Sequence, residues 1–242
     1  MIKTERARSE AVLVLDAGNA LYATYGPVQA TGGQVAIEAM NMMGYDAITL
    51  GDQDLILGAS VLRQRMAEAT FAVLSANVID ATTDQPLALP YVIKEIAGRR
   101  VGIIGLTRLS TPLAPNPNDS TLLRVDDPLE AVMRYAPEVA ELADIVILLS
   151  HVGLPMDRMI SAEVPEIDII IGGQSRNVIA PTREGEGGAV IAQAGYRGEW
   201  LGTLTARFDA QGELIDFEGE TVALTDEYKD DRDMAKFVER IK

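Results

Sequence analysis

The sequence predicts an α/β protein in which parallel strands with helical crossovers come first and antiparallel hairpins follow. Three observations carry this expectation. Apolar runs of strand length at 11–16, 47–50 and 71–76 alternate with helical stretches, the rhythm of a parallel sheet with crossovers. Gly98-Arg99-Arg100 separates two further strand-like runs, which is a hairpin signal. A chain of 242 residues, 48% of them apolar, can bury a sizeable core, and one compact domain is the simplest division.

Residues 1–9 read as the last turns of a helix. The run AVLVLD at 11–16 is continuously apolar, as expected of a strand buried on both faces, and ends in the turn Ala17-Gly18-Asn19. Thr31 is placed to cap a helix over 33–43, with Gly44 as its stop. A short buried strand at 47–50 follows, then a tight turn at Gly51 and three polar residues, Asp52, Gln53 and Asp54. A helix over 58–69 puts Val61, Leu62, Met66 and Ala69 near one face, and a strand at 71–76 completes the parallel set.

The pattern then changes. Runs at 91–97 and 101–107 form the hairpin, and a proline-rich loop at 111–118 leads to a helix near 128–142. A buried strand at 144–149 ends at Ser150-His151. A short helix at 156–162 precedes a strand at 167–171 that ends in GGQSRN. Three late strands, 189–194, 201–208 and 214–222, are expected to be antiparallel, the last two joined by Ala210-Gln211-Gly212. A helix at 231–241 closes the chain. The division expected is one domain over 1–225 and an acidic terminal helix over 226–242.

A formal net charge of −15 disfavours nucleic acid and anionic membranes as partners. It also works against free phosphate anions unless a metal or local basic residues offset it. The absence of cysteine rules out disulfides, thiolate metal sites and cysteine nucleophiles. No segment approaches the ~20 apolar residues of a membrane span, and the charged start MIKTERARSE has no apolar region behind it to make a signal peptide.

Ligands of open α/β sheets collect at the carboxyl ends of strands. Here those ends carry Asn19, Asp52, Gln53, His151, Gln174 and Arg176. Gly172-Gly173 permits a tight turn but is no phosphate loop, since no Gly-Lys-Ser/Thr follows. Ser150 and His151 are neighbours on a strand, so they point to opposite faces and form no nucleophile pair. Asn77 is read as a turn or cap residue, and Tyr196 and Trp200 as covers for the sheet.

The order of the stretches LVLDAGN (13–19), MNMMGYDAITLGDQD (40–54), FAVLSANV (71–78), VGIIGLTRLSTP (101–112), ADIVILLSHVG (143–153), IDIIIGGQSRN (167–177) and IAQAGYRGEWLGTLTARFD (191–209) resembles the N-terminal catalytic domain of the 5'-nucleotidase family of calcineurin-like metallophosphoesterases. The resemblance spans nearly the whole chain. It implies a four-layer αββα sandwich with mixed parallel and antiparallel sheets. It also implies two metal ions that polarise a phosphate ester and generate hydroxide.

The ligand set that the resemblance implies is largely substituted. The Asp-x-His pair on the family's first strand is missing, because the chain begins after that strand. The bridging Asp position is Asn19, the Asn position is Asp52, and the catalytic His position is Gln53. His151 matches its position, and the final pair becomes Gln174 and Arg176. A guanidinium does not ligate metal. Two readings remain. One is a catalytically degenerate module that binds, scaffolds or interacts and needs no cofactor. The other is a metal-dependent phosphoester (nucleotide) hydrolase with one divalent ion, Mn or Zn, on Asn19, Asp52, His151 and Gln174. Arg176 is expected either to replace lost metal charge by pairing with Asp52 or to point to solvent. With the first family strand missing, the edge beside 11–16 is expected to be covered by a partner chain, a second copy or a removed segment. The base-holding C-terminal domain of the family is also absent, so nucleotide specificity has no support. Family members are commonly exported, which leaves the compartment open.

Overall fold

A computed structural model describes residues 1–108, 121–183, 185 and 187–241; the loop expected at 111–118 lies outside them. The first part of the chain runs α1 (Ile2–Arg8), β1 (Leu15–Asp16), α2 (Gly26–Ala30), α3 (Gln34–Met43), β2 (Ala47–Thr49), a 3-10 turn (Asp54–Leu57), α4 (Ala59–Glu68) and β3 (Ala72–Leu74). The strands β1, β2 and β3 form a parallel sheet in that order, with Leu15 opposite Ala47 and Ile48 opposite Val73.

The chain continues through β4 (Val78–Asp80), β5 (Gln85–Pro86), β6 (Tyr91–Ile96), β7 (Arg99–Thr107) and β8 (Leu123–Val125). Then come α5 (Pro128–Leu142), β9 (Ile145–His151), α6 (Leu154–Glu163), β10 (Ile169–Gly172), β11 (Val178–Arg183) and β12 (Val190–Ala194). The hairpin β13 (Trp200–Phe208) and β14 (Leu214–Ala223) precedes α7 (Arg232–Ile241). A six-stranded sheet has the order β11-β12-β10-β9-β7-β6, with parallel strands inside and antiparallel strands at both rims.

Three apolar interfaces hold the layers. Ile37, Met40 and Leu62 of α3 and α4 pack on Ile48, Leu50 and Val73 of the small sheet. Ala47 and Leu74 meet Ile103, Ile147, Leu149 and Ile169 between the sheets, joined there by Leu204, Phe208 and Phe217 of the last hairpin. Val132, Ala136 and Val139 of α5 and Ile160 of α6 cover Ile104, Leu148 and Ile170 on the far side. Helix α5 shows why the pattern works. Asp127 caps it by accepting from the Glu130 N–H at 3.0 Å, Pro128 opens it, and its apolar residues recur at helical spacing on one face. The result is the four-layer αββα sandwich with mixed sheets.

Three expectations need correction. The run 11–16 is not a strand buried on both faces. Only Leu15 and Asp16 join the ladder, β1 is an edge, and Ala11 is exposed while Val12, Leu13 and Leu15 are half-buried. Strand β12 is parallel to β10, not part of an antiparallel set. The antiparallel partner is β11, which the sequence conceals because Pro181 and partial exposure spoil its strand signature. Thr31 is not itself the N-cap residue of α3. Gly33, with φ of 83°, holds that position. Thr31 ends α2 by donating its hydroxyl to the Pro27 carbonyl at 2.7 Å, and the same oxygen still accepts the Val35 N–H of α3 at 3.4 Å.

Helix α7 folds back onto α3, burying Phe237, with Arg240 3.4 Å from Glu38 and Asp231 2.5 Å from Lys3. No helix among the described residues is long and apolar enough to cross a membrane.

Candidate functional site

Parallel strands end on the same side, so the turns after β1, β2, β7, β9, β10 and β12 gather at one edge of the sandwich. Asp54 organises this edge. It is wholly buried, and its carboxylate accepts the N–H of Gly51 at 2.9 Å, of Asn19 at 2.9 Å and of Leu21 at 2.8 Å. Burial raises its pKa against the pull of those three bonds. The turns after β1 and β2 are thereby locked together. The approach is so close that a Cβ on Gly51 would sit 2.0 Å from Asn19 Oδ1, which explains the glycine.

Asn19, Asp52 and His151 come together as the sequence suggests. Asn19, at φ of 64°, donates from Nδ2 to Asp52 Oδ1 at 3.0 Å and accepts the Gln53 N–H at 2.9 Å. His151, 2% exposed, holds Ala17 O at 2.6 Å from Nδ1 and Asp52 Oδ1 at 3.3 Å from Nε2. Both ring nitrogens therefore face oxygen acceptors, and only the imidazolium can donate to both. Burial opposes that charge. The Asp52 hydrogen bond, the Ala17 carbonyl and the charges of Asp52 and Asp54 outweigh it, so the His151 pKa is raised.

The remaining positions behave differently. Gln53 contributes its backbone N–H while the residue is exposed. Gln174, at φ of 65°, lies against Gly153, where a Cβ would stand 2.6 Å from its Oε1. Arg176 makes no ion pair with Asp52, contrary to the first expectation for it. Its guanidinium lies instead over the Tyr196 ring, 5.6 Å from the centroid, while Asp52 Oδ1 engages Asn19 and His151. Tyr196 is exposed and does not cover the sheet, whereas Trp200 is half-buried beside Gly195.

Behind the turns lies a second polar layer that the sequence does not reveal. Ser150 and Asp157 are wholly buried, and the Ser150 hydroxyl donates to Asp157 Oδ1. Asp157 Oδ2 is buried with no hydrogen-bond partner among the described residues, and burial pushes its pKa up to about 7. Asp16, the last residue of β1, is pushed up to about 6 mainly by burial, with the charge of Asp54 adding to it. Gln193 shapes the turn after β10: its Nε2 donates to Gly173 O at 2.8 Å, and its Oε1 accepts from Ser175 Oγ at 3.0 Å and Asn177 N at 2.9 Å. Asn77 is a cross-linker, bonded to Thr107 N at 2.9 Å and to Asp126 O at 2.9 Å.

The donor set does not fit a pair of divalent ions. Such ions require ionised carboxylates and neutral imidazoles with free lone pairs. Here the Asn19 carbonyl oxygen accepts an N–H, both His151 nitrogens point at oxygens, and Arg176 brings positive charge to a ligand position. No group of three or more His, Asp or Glu residues spaced to hold an ion occurs among the described residues.

No protein-family model matches the chain. Individual proteins do. It is 30% identical over 264 residues to a snake venom 5'-nucleotidase of Gloydius brevicauda, spanning 100% of this chain and 44% of that protein. It is also 30% identical over 246 residues to the 5'-nucleotidase of Homo sapiens, spanning 91% of this chain and 42% of the relative. The chain thus spans less than half the length of these curated relatives. Among solved structures, the 5'-nucleotidase precursor of Thermus thermophilus superposes with a TM-score of 0.86 at 27% identity, over 99% of this chain and 51% of that one. The calcineurin-like phosphoesterase YfkN of Bacillus subtilis gives 0.81 at 19% identity, over 99% of this chain and 85% of the other. The layered sandwich and the turns at its carboxyl edge define a calcineurin-like phosphoesterase fold. Within that class, the chain has the fold of the calcineurin-like/5'-nucleotidase superfamily, matched over about half of the Thermus thermophilus protein.

Proposed function

We propose that this chain is a catalytically degenerate 5'-nucleotidase-like domain that serves as a binding, structural or interaction module. The observation that carries this reading is the closed polar network at the family's metal positions. Asn19, Asp52 and His151 satisfy one another and the neighbouring backbone. The other reading, a mononuclear hydrolase on Asn19, Asp52, His151 and Gln174, requires His151 Nε2 to leave Asp52 and lose its proton. The raised pKa of the ring opposes that step. The test is hydrolysis of p-nitrophenyl phosphate with added manganese, zinc or cobalt, and no turnover above background is expected. Metal-dependent turnover that disappears in His151→Ala would overturn the reading.

Residues 1–225 are proposed as the module and 226–242 as its acidic closing segment. The outer edge of β1 is proposed to receive a protein partner or a second copy, because among the described residues β1 pairs only with β2, and Leu13 before it and Leu15 within it are half-buried. An exported setting is proposed on the strength of relatives that include venom proteins and a bacterial precursor.

A further inference from the structure

We propose that Arg176, Tyr196 and Arg197 form a docking platform for an acidic, amphipathic peptide segment of a partner protein. The two guanidiniums lie 5.6 and 5.3 Å from the centroid of the same Tyr196 ring. Neither arginine pairs with a carboxylate among the described residues, although the chain carries 36 acidic side chains against 21 basic ones. Glu199, in the same turn, engages through its backbone N–H to Tyr196 O at 3.3 Å and forms no ion pair with either arginine. Two cations against one exposed ring, neither paired with a carboxylate among the described residues, make a local basic patch on an acidic protein, and such a patch favours an anionic partner.

The platform is held rather than loose. Arg176 and Arg197 sit at φ of 59° and 60°, a left-handed conformation that costs a non-glycine residue energy and persists only when the surroundings impose it. The two turns that carry them are joined by the Gly195 N–H to Asn177 O bond at 2.8 Å, and Gln193 fixes the Asn177 side of that joint. Preorganised cations lose less freedom when a partner arrives.

Exposure decides between a small anion and a peptide. A guanidinium–anion pair in open water contributes at most about a factor of five in affinity, so two of them hold a small anion only at roughly tens of millimolar. A peptide adds apolar burial, and the surface offers it. Tyr196 is 42% and Val178 45% exposed, and Val178 reaches to within 3.2 Å of where a Gly195 side chain would begin. Arginine and tyrosine around an exposed aliphatic residue is the composition of an interface centre.

The inference deepens the reading of this chain as an interaction module and rests on it. The experiment is fluorescence anisotropy with a short labelled peptide in which Glu alternates with Phe, at low salt and with EDTA present. Saturable binding that weakens as salt rises is expected, with about a tenfold loss in the Arg176→Ala/Arg197→Ala double variant. The same peptide with Gln in place of Glu is expected to bind at least tenfold more weakly. The platform is overturned if wild-type protein does not bind, if the double variant binds equally well, or if inorganic phosphate competes at micromolar concentration. Metal-dependent hydrolysis in the phosphate ester assay would remove the module reading alone and leave the peptide result standing.

Discussion

His151 and Asp52 meet across the two sheets, with Nε2 of the imidazole 3.3 Å from Oδ1 of the carboxylate while Nδ1 holds Ala17 O at 2.6 Å. One ring thus bridges three strand ends, those of β1, β2 and β9. A raised imidazole pKa adds stability that is complete below the unfolded value of about 6.5 and lost as pH rises through the folded value. Urea unfolding followed across neutral pH is expected to show that decline in the wild type and a flatter profile in His151→Gln. His151→Ala leaves Ala17 O and Asp52 short of a donor and is expected to cost roughly 2–3 kcal/mol at pH 6. A change within experimental error would mean the ring is not a structural bridge.

Asp54 satisfies three backbone N–H groups from two turns. Asp54→Ala strands all three donors inside the protein, each worth about 1–3 kcal/mol when left unmade. A loss of roughly 3 kcal/mol or more is expected, read as a lower urea midpoint. Asp54→Asn keeps one acceptor and is expected to fall between the two. Equal midpoints for all three proteins would show that the turns hold without the carboxylate.

Burial pushes the Asp157 carboxyl up to about 7, well above the ordinary carboxylate range. A raised carboxyl pKa favours the folded state below the unfolded value, and the benefit drains away as pH rises to the folded value. Asp157→Asn removes the charge, so at pH 8 it is expected to be more stable than wild type by roughly 2–4 kcal/mol. At pH 4 the two are expected to match. Thermal melts over that range decide the matter, and a variant less stable than wild type at pH 8 would show that the carboxylate ionises without penalty.

Added zinc or manganese is expected to leave the melting temperature unchanged. A ligand that binds only the folded state stabilises by RT ln(1 + [L]/Kd), about 2.7 kcal/mol at a hundredfold excess over Kd, which would shift the melt by several degrees. Such a shift, lost in His151→Ala, would revive a mononuclear metal site.

The layers were legible because apolar periodicity is written locally. Helix α5 runs over Pro128–Leu142, and the β6–β7 hairpin turns at Ala97 and Gly98. Strand β11 escaped because Pro181 and partial exposure mask it, and without it β12 looks like one arm of a hairpin. The site was half legible. Asn19, Asp52 and His151 announce themselves by their places at strand ends. Asp54 reaches partners 33 and 35 residues away, and Asp157 and Gln193 matter through burial that only tertiary packing creates. Arg176 lies over the Tyr196 ring, twenty residues further along the chain, a contact no single stretch of sequence encodes.

The kinked rim strand β11 has a consequence for how copies of this protein behave when crowded. The register slips between Ile179 and Thr182, and Pro181 there offers no amide hydrogen. A neighbouring molecule that tried to extend the large sheet from this side would find its hydrogen-bond ladder interrupted. Together with β14, whose Thr221 hydroxyl already donates to Ile179 O, this makes β11 a poor template for edge-to-edge pairing, and β6 and the short β1 are the sheet margins without that protection among the described residues.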